Sequence, residues 1–173
     1  MCELCWKASD RNGYVVKYRI LFVCLGNICR SPTAHGLFRE RVRSSSLSEL
    51  VEIDSAGTGD WHIGRPPDPR AQDTALEHGF DIGDLRARTV TSEDFERFDM
   101  ILAMDQSNLS NLQSLAPSSF SGHLGLFLDF IDESIREVPD PYYGGPEGFD
   151  AVIDLVGKTC DNLIEHLIQQ VRG

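Results

Sequence analysis

The sequence predicts an α/β fold, a three-layer sandwich in which a four-stranded parallel sheet carries helices on both faces. Three observations predict it. Strand-like and helix-like segments alternate in the order β, α, β, α, short α, β, α, β, α, the pattern of parallel strands joined by helical crossovers. The strand segments are short and apolar, as in Ile20-Leu21-Phe22-Val23, which suits strands covered on both sides. The chain has 173 residues, 41% hydrophobic and 25% charged, enough for one domain with a sizeable core.

Residues 1–18 read as an N-terminal extension, and residues 19–173 as a single domain. The extension is polar and mixed, with a turn signal at Asp10-Arg11-Asn12-Gly13. It is either a flexible leader or the product of an upstream start. Its Cys2 and Cys5 form a C-x-x-C pair with no second pair to complete a zinc site. Ile20 to Val23 is the first strand. Ser31 and Pro32 start a helix, Ser31 as N-cap and Pro32 at the first helical position. Ala34, Leu37, Phe38 and Val42 follow at helical spacing and face the core, and His35 is expected at the surface. Val51 to Asp54 is the second strand. Asp68-Pro69 opens a helix that runs through His78, with Gly79 as its C-cap. Thr91-Ser92-Glu93-Asp94 opens a short helix. Met100 to Met104 is the third strand, Asp105 caps the helix ending at Leu115, and Leu124 to Phe130 is the fourth strand. A last helix begins near Pro146 and keeps an apolar face through Phe149, Val152, Val156, Cys160, Leu163 and Leu167 to Val171. Cys160 falls on that face and reads as core.

Between the first strand and first helix lies Cys24-Leu25-Gly26-Asn27-Ile28-Cys29-Arg30-Ser31-Pro32. A strand that turns sharply into a helix points backbone N–H groups and the positive helix end into one cavity, which is an anion site. Gly26 and Asn27 tolerate the turn. Cys24 sits at the cavity mouth, where the helix end and Arg30 both favour a thiolate. Arg30 offers a planar fork for two oxygens of a phosphoryl group. A thiolate facing a phosphate so held is set for in-line attack on phosphorus. Ser31 is placed to hydrogen-bond the sulfur. Asn27 fixes the loop or fills a turn, two readings that are compatible. Cys29 is a small buried residue or a second thiol able to pair with Cys24 on oxidation. Trp61 is open between packing and a wall of the site, and His62 is expected at the surface. Asp140 stands between Pro139 and Pro141, on a stiffened loop that also carries Tyr142 and Tyr143.

The stretch Cys24 to Pro32 resembles the signature of the low-molecular-weight protein tyrosine phosphatases. The resemblance runs from about Ile20 to the C-terminus and includes Asp54-Ser55-Ala56-Gly57-Thr58, Trp61, Met104-Asp105 and Asp140-Pro141-Tyr142-Tyr143 in the family's order. It implies the phosphotyrosine phosphatase I-like fold with four parallel strands. It implies hydrolysis of phosphotyrosine and aryl phosphates through a cysteinyl-phosphate intermediate, with Cys24 as nucleophile, Arg30 holding the phosphoryl oxygens and Asp140 as acid, then base. Leu25, Gly26, Asn27, Ile28, Cys29 and Ser31 are then phosphate-loop residues, and Trp61, Tyr142 and Tyr143 wall the substrate ring. Neither metal nor cofactor is implied, and the partners are phosphotyrosine-containing proteins met by a monomer or weak dimer. Many relatives carry a histidine where Leu85 stands, supporting the loop through Asn27, Ser31 and Ser55. Leu85 is a departure from that pattern.

Composition excludes other classes. The formal net charge of −11 argues against nucleic acid as a partner. It does not exclude an anion site, because distant acids are screened beyond about 10 Å. No apolar run reaches the roughly 20 residues of a membrane span, and no secretory h-region is visible. Five cysteines, an odd count, suit a reducing compartment and a cytoplasmic protein. A nicotinamide site is excluded because no G-x-G-x-x-G follows the first strand. Three alternatives remain. An arginine-phosphate phosphatase is disfavoured by Ile28, where related enzymes with that activity carry threonine. Arsenate reduction on this fold needs further cysteines late in the chain, where only Cys160 lies. A non-catalytic phosphoprotein-binding module is disfavoured by the joint presence of Cys24, Arg30 and Asp140.

Overall fold

The protein is described from a computed structural model, which covers residues 17–172; the rest of the N-terminal extension, with Cys2 and Cys5, lies outside the described residues. In chain order the elements are β1 (Tyr18–Cys24), α1 (Arg30–Arg43), β2 (Val51–Gly57), α2 (Pro69–Glu77), α3 (Asp94–Arg97), β3 (Met100–Ala103), α4 (Gln106–Leu115), β4 (His123–Leu126), a 3₁₀ turn (Phe127–Phe130) and α5 (Pro146–Arg172). The sheet has four parallel strands, as the alternation of elements predicts, in the order β2-β1-β3-β4.

β1 is the central organiser because its side chains split by period two. Ile20, Phe22 and Cys24 face a cluster that includes Phe38 of α1 and Val156 and Leu163 of α5. Leu21 and Val23 face the opposite side, with Phe95 of α3 and Leu109 and Leu112 of α4. Phe22 sits edge-on to both Phe38 and Phe127, with ring centroids 5.5 and 5.3 Å apart. Cys160 is fully buried on the α5 face, and burial, chiefly, pushes its thiol well up, so it is core.

Some boundaries differ from the sequence expectation. β1 and β2 are longer, pairing from Tyr18↔Val51 to Cys24↔Gly57. The ladder therefore runs on into the two loops expected to build the site. β4 is shorter. Its partner β3 runs out at Ala103↔Leu126, and the chain then turns into the 3₁₀ segment, which buries Phe127 against Phe22. α2 follows the caps read from its sequence: Asp68 accepts from the Arg70 N–H, and Gly79 takes φ +85° just past the end. In α4, Asp105 accepts from the Asn108 N–H at 2.7 Å, as a cap should.

α1 starts differently from the expectation. It begins at Arg30, with Cys29 in the cap position and no side-chain cap. Ser31 is not the cap because its hydroxyl is engaged elsewhere, next to Cys24 and Asn27. Pro32 still falls in the first turn, where a missing N–H leaves no helical bond unmade.

Candidate active site

The strand order reverses beside β1, whose neighbours β2 and β3 lead to opposite edges of the sheet. Ligand sites in open α/β sheets lie at such a point, beyond the strand C-termini. Cys24 is the last residue of β1, and the loop 25–29 follows before α1. Asn27 holds φ +55°, the sole non-glycine residue in that region among the described residues. Its side chain explains why. Nδ2 donates to Ser31 Oγ (2.8 Å) and Ser55 Oγ (3.0 Å), while Oδ1 accepts from the Arg88 N–H (3.0 Å). Three bonds on a buried amide offset the strain of a left-handed backbone. So Asn27 lies beneath the loop and fixes it. The turn also needs room at Gly57, where a Cβ would come within 2.7 Å of the Leu25 carbonyl oxygen.

The sulfur of Cys24 is held from two sides. The Asn27 N–H donates to Sγ at 3.3 Å, and Ser31 Oγ lies 3.1 Å away. The Ser31 hydroxyl also reaches the Ala56 carbonyl at 3.2 Å. Its proton therefore has two acceptors, one of which is the sulfur. Cys29 is buried, and burial first, then Asp68, Cys24 and Asp140, push its thiol well up. Cys29 is thus held as a thiol.

Arg30 is buried beside the sulfur. Nη1 donates to Asp105 Oδ2 (2.6 Å) and the Val138 carbonyl (3.3 Å), and Nη2 donates to Asp140 Oδ2 (3.1 Å). Burial works against its charge, but Cys24, Asp105 and Asp140 outweigh it and hold the guanidinium charged. Asp105 thus does more than cap α4. It anchors one edge of the Arg30 fork and leaves the other facing Asp140. The sequence signal for this was its place just past β3, at the sheet edge where ligands sit.

Asp140 is held by the Tyr142 N–H, which donates to its Oδ1 at 3.1 Å. The loop around it is tied to β3 through the Val138 N–H and the Met104 carbonyl. It is tied to α2 by Arg70, which pairs with Asp68, donates to the Tyr142 carbonyl at 3.1 Å and lies over the Tyr142 and Phe149 rings. Arg70 has no part in the sequence reading. A cation two residues after a cap gives no sign of a partner 72 residues away.

These groups line one cavity. Its floor is Cys24, Gly26, Ile28, Cys29 and Arg30, and its rim is Leu25, Trp61, His62, Asp140, Tyr142 and Tyr143. Asn27 and Ser31, predicted with the loop, sit under it rather than in its lining. Trp61 and Tyr143 are 60% and 93% exposed, so both lie at the surface rather than in the core. Two histidines correct the expectations. His62 is half-buried and lines the cavity, packed against Gly26. His35 is buried in α1, not at the surface, with Nδ1 3.3 Å from Ser55 Oγ. Burial, above all, lowers its pKa to about 4, so it is neutral. Its spacing carried the signal: Ser31, His35, Phe38 and Val42 lie on one helix face, which the apolar count alone overlooks. Leu85 is half-buried against the core beneath.

Comparison with known proteins gives one family. Residues 19–172 match the family described as "Low molecular weight phosphotyrosine protein phosphatase". The chain is 41% identical over 160 residues to "Low molecular weight protein-tyrosine-phosphatase" of Streptomyces coelicolor, covering 90% of this chain and 97% of that protein. Among solved structures, a protein tyrosine phosphatase from Entamoeba histolytica, with Hepes in its active site, superposes with a TM-score of 0.84 at 40% identity, covering 88% of this chain and 98% of that one. A drosophila arginine phosphatase superposes with a TM-score of 0.79 at 32% identity, covering 86% and 96%.

Proposed function

The chain belongs to the low molecular weight phosphotyrosine protein phosphatase family and is an enzyme of that kind; from that premise we propose that Cys24, Arg30 and Asp140 carry the reaction. Cys24 attacks phosphorus in line, forming the S–P bond as the P–O bond to the phenol breaks. Arg30 and the loop amides stabilise the equatorial oxygens, so positioning and fixed charge supply most of the catalysis. The observation that carries this is the Arg30 fork: anchored by Asp105 on one side, it turns the other toward a carboxylate at the cavity rim. An incoming phosphoryl dianion replaces Asp140 on that fork, and the released carboxylate, now without its guanidinium and beside a negative charge, takes a proton from solvent. Asp140, left at the rim beside the leaving oxygen, protonates it as a phenol. It then takes a proton from the water that hydrolyses the phosphocysteine, which releases Cys24 as thiolate. Ser31 donates to the sulfur as it leaves. Trp61, Tyr142 and Tyr143 wall the ring. The substrates are phosphotyrosine-containing proteins of the cytoplasm, and the enzyme works as a monomer or weak dimer. No metal enters these steps.

Hydrolysis of phosphotyrosine peptides against phosphoarginine peptides, in the presence of a chelator, tests the reading. Turnover of phosphotyrosine at the higher kcat/KM is expected. Preference for phosphoarginine would move the substrate class to that of the drosophila relative.

Cys29 is the proposed redox partner. Peroxide converts the Cys24 thiolate to a sulfenic acid, and Cys29 sulfur displaces its oxygen as water, closing a disulfide that a dithiol reopens. The thiol form of Cys29 makes that closure slow near neutral pH. The Cys29→Ser variant, which has no second sulfur to close the disulfide, should lose most of its recovery after peroxide. Recovery equal to that of the unaltered enzyme would remove Cys29 from this role.

A further inference from the structure

We propose that His35 is a positioning residue for the nucleophile: its Nδ1 is the terminal acceptor of a hydrogen-bond chain that runs through Ser55, Asn27 and Ser31 to Cys24. The inference rests on Cys24 being the nucleophile.

The directions of the bonds follow from the donors. The Arg88 N–H donates to Asn27 Oδ1, so the other end of that amide is nitrogen. Asn27 Nδ2 has two hydrogens, and two oxygens receive them, Ser31 Oγ and Ser55 Oγ. Ser55 is buried, and among the described residues its hydroxyl has two partners, Asn27 Nδ2 and His35 Nδ1. Asn27 donates only. The hydroxyl proton of Ser55 therefore goes to His35 Nδ1, and the imidazole carries its own proton on Nε2. With Ser55 so oriented, its lone pair faces Asn27. Asn27 in turn keeps a hydrogen on Ser31, whose own proton is free to swing from the Ala56 carbonyl to the Cys24 sulfur.

A proton on His35 Nδ1 would reverse the first link. Ser55 Oγ would then face two donors, and its own hydrogen would have no acceptor in a dry site. The surroundings keep the imidazole neutral. Burial dominates; Asp54 and Asp84 favour its proton, and Arg39 and Arg88 oppose it. The support comes from inside α1, four residues beyond Ser31, and not from position 85, where Leu85 has no hydrogen-bonding side chain. The helix that starts from the phosphate loop thus also carries the residue that fixes the loop's internal bonds.

Two measurements have readouts besides turnover, so their failure is distinct from failure of the proposed reaction. The first is the nitrogen spectrum of the imidazole in the full chain. His35 should show an unprotonated Nδ1 and a protonated Nε2 throughout about pH 5–8. A protonated Nδ1 in that range overturns the proposal. The second is alkylation of Cys24 by iodoacetate at fixed pH. H35L should slow it about tenfold, the effect of one buried hydrogen bond. Its kcat should fall by a similar factor, with KM changed less than about twofold. H35N, whose amide oxygen sits where Nδ1 does, should recover to within about threefold, whereas H35Q, whose oxygen reaches past that point, should not. Equal rates for H35N and H35Q, or a folded H35L with unaltered alkylation, would leave His35 as packing alone. The Asn–Gln comparison decides the matter if H35L does not fold.

Discussion

Asp140 is the residue whose role depends most on its surroundings. On its own loop it is one acid among 27 Asp and Glu, and no spacing in the sequence ties it to Cys24. The structure brings its Oδ2 within 3.1 Å of Arg30 and fixes its Oδ1 on the Tyr142 N–H. General acid help contributes typically about 10²–10⁴-fold and most for poor leaving groups. Asp140→Asn should therefore slow phenyl phosphate far more than para-nitrophenyl phosphate, and flatten the alkaline limb of the kcat/KM profile. Equal losses on the two substrates, with that limb unchanged, would give the acid role to another group. The loop residues Cys24 to Ser31 were legible because their chemistry is written contiguously. His35, His62, Asp105 and Arg70 were not, because each acts across the fold: a helix face, a loop crossing and a strand end bring them to the site. His35 hid in particular because a polar side chain on an apolar face looks like a break in the pattern until its partner is known.

At the scale of elements, α1 is the one on which the site depends. It packs on β1, β2 and α5, and its first turn supplies Arg30 and Ser31. Close approach to the segment after α2 is set by Gly36: a Cβ there would lie 2.2 Å from Ile82 Cγ2 and 3.3 Å from the Phe80 ring. Alanine in a helix is favoured over glycine by up to about 1 kcal/mol. Overpacking a buried contact costs about 1–3 kcal/mol, and Ile82 is fully buried, so the clash wins. Gly36→Ala should lower stability by about 1–2 kcal/mol, read as the midpoint of urea unfolding at unchanged m. A midpoint equal to or above that of the unaltered protein would mean that α1 shifts freely, and the packing account of this element would fail. The elements themselves were legible wherever period and caps agreed, as at Asp68, Gly79 and Asp105. Boundaries were lost where pairing partners decide them: β4 stops because β3 does, and α1 starts two residues early, at Arg30 rather than Pro32, because Ser31 serves the sulfur instead of the helix end.

The whole molecule joins a strongly acidic surface to a site for anions. A net charge of −11 coexists with that site because the attraction is local. One buried guanidinium, one helix end and the Asn27 N–H act at contact distance, while the remaining acids act through screened water. The four parallel strands place all of this at one edge, and among the described residues no helix is long and apolar enough to cross a membrane. The parallel sheet and its two covering layers were legible from the alternation of elements, whereas the strand order β2-β1-β3-β4 comes from the structure. The depth of the site was not legible, because it depends on three separate stretches of the chain, 24–30, 61–62 and 140–143, meeting beyond β1. The central claim is that phosphate passes through Cys24, and the most direct test is to catch it there. Rapid quenching during turnover of a radiolabelled aryl phosphate should yield a phosphoryl group on the Cys24 peptide, stable until hydrolysed and absent in the Cys24→Ser variant, which should still bind a phosphate analogue. Label on any other residue, or turnover above a tenth of normal without Cys24, would contradict the account.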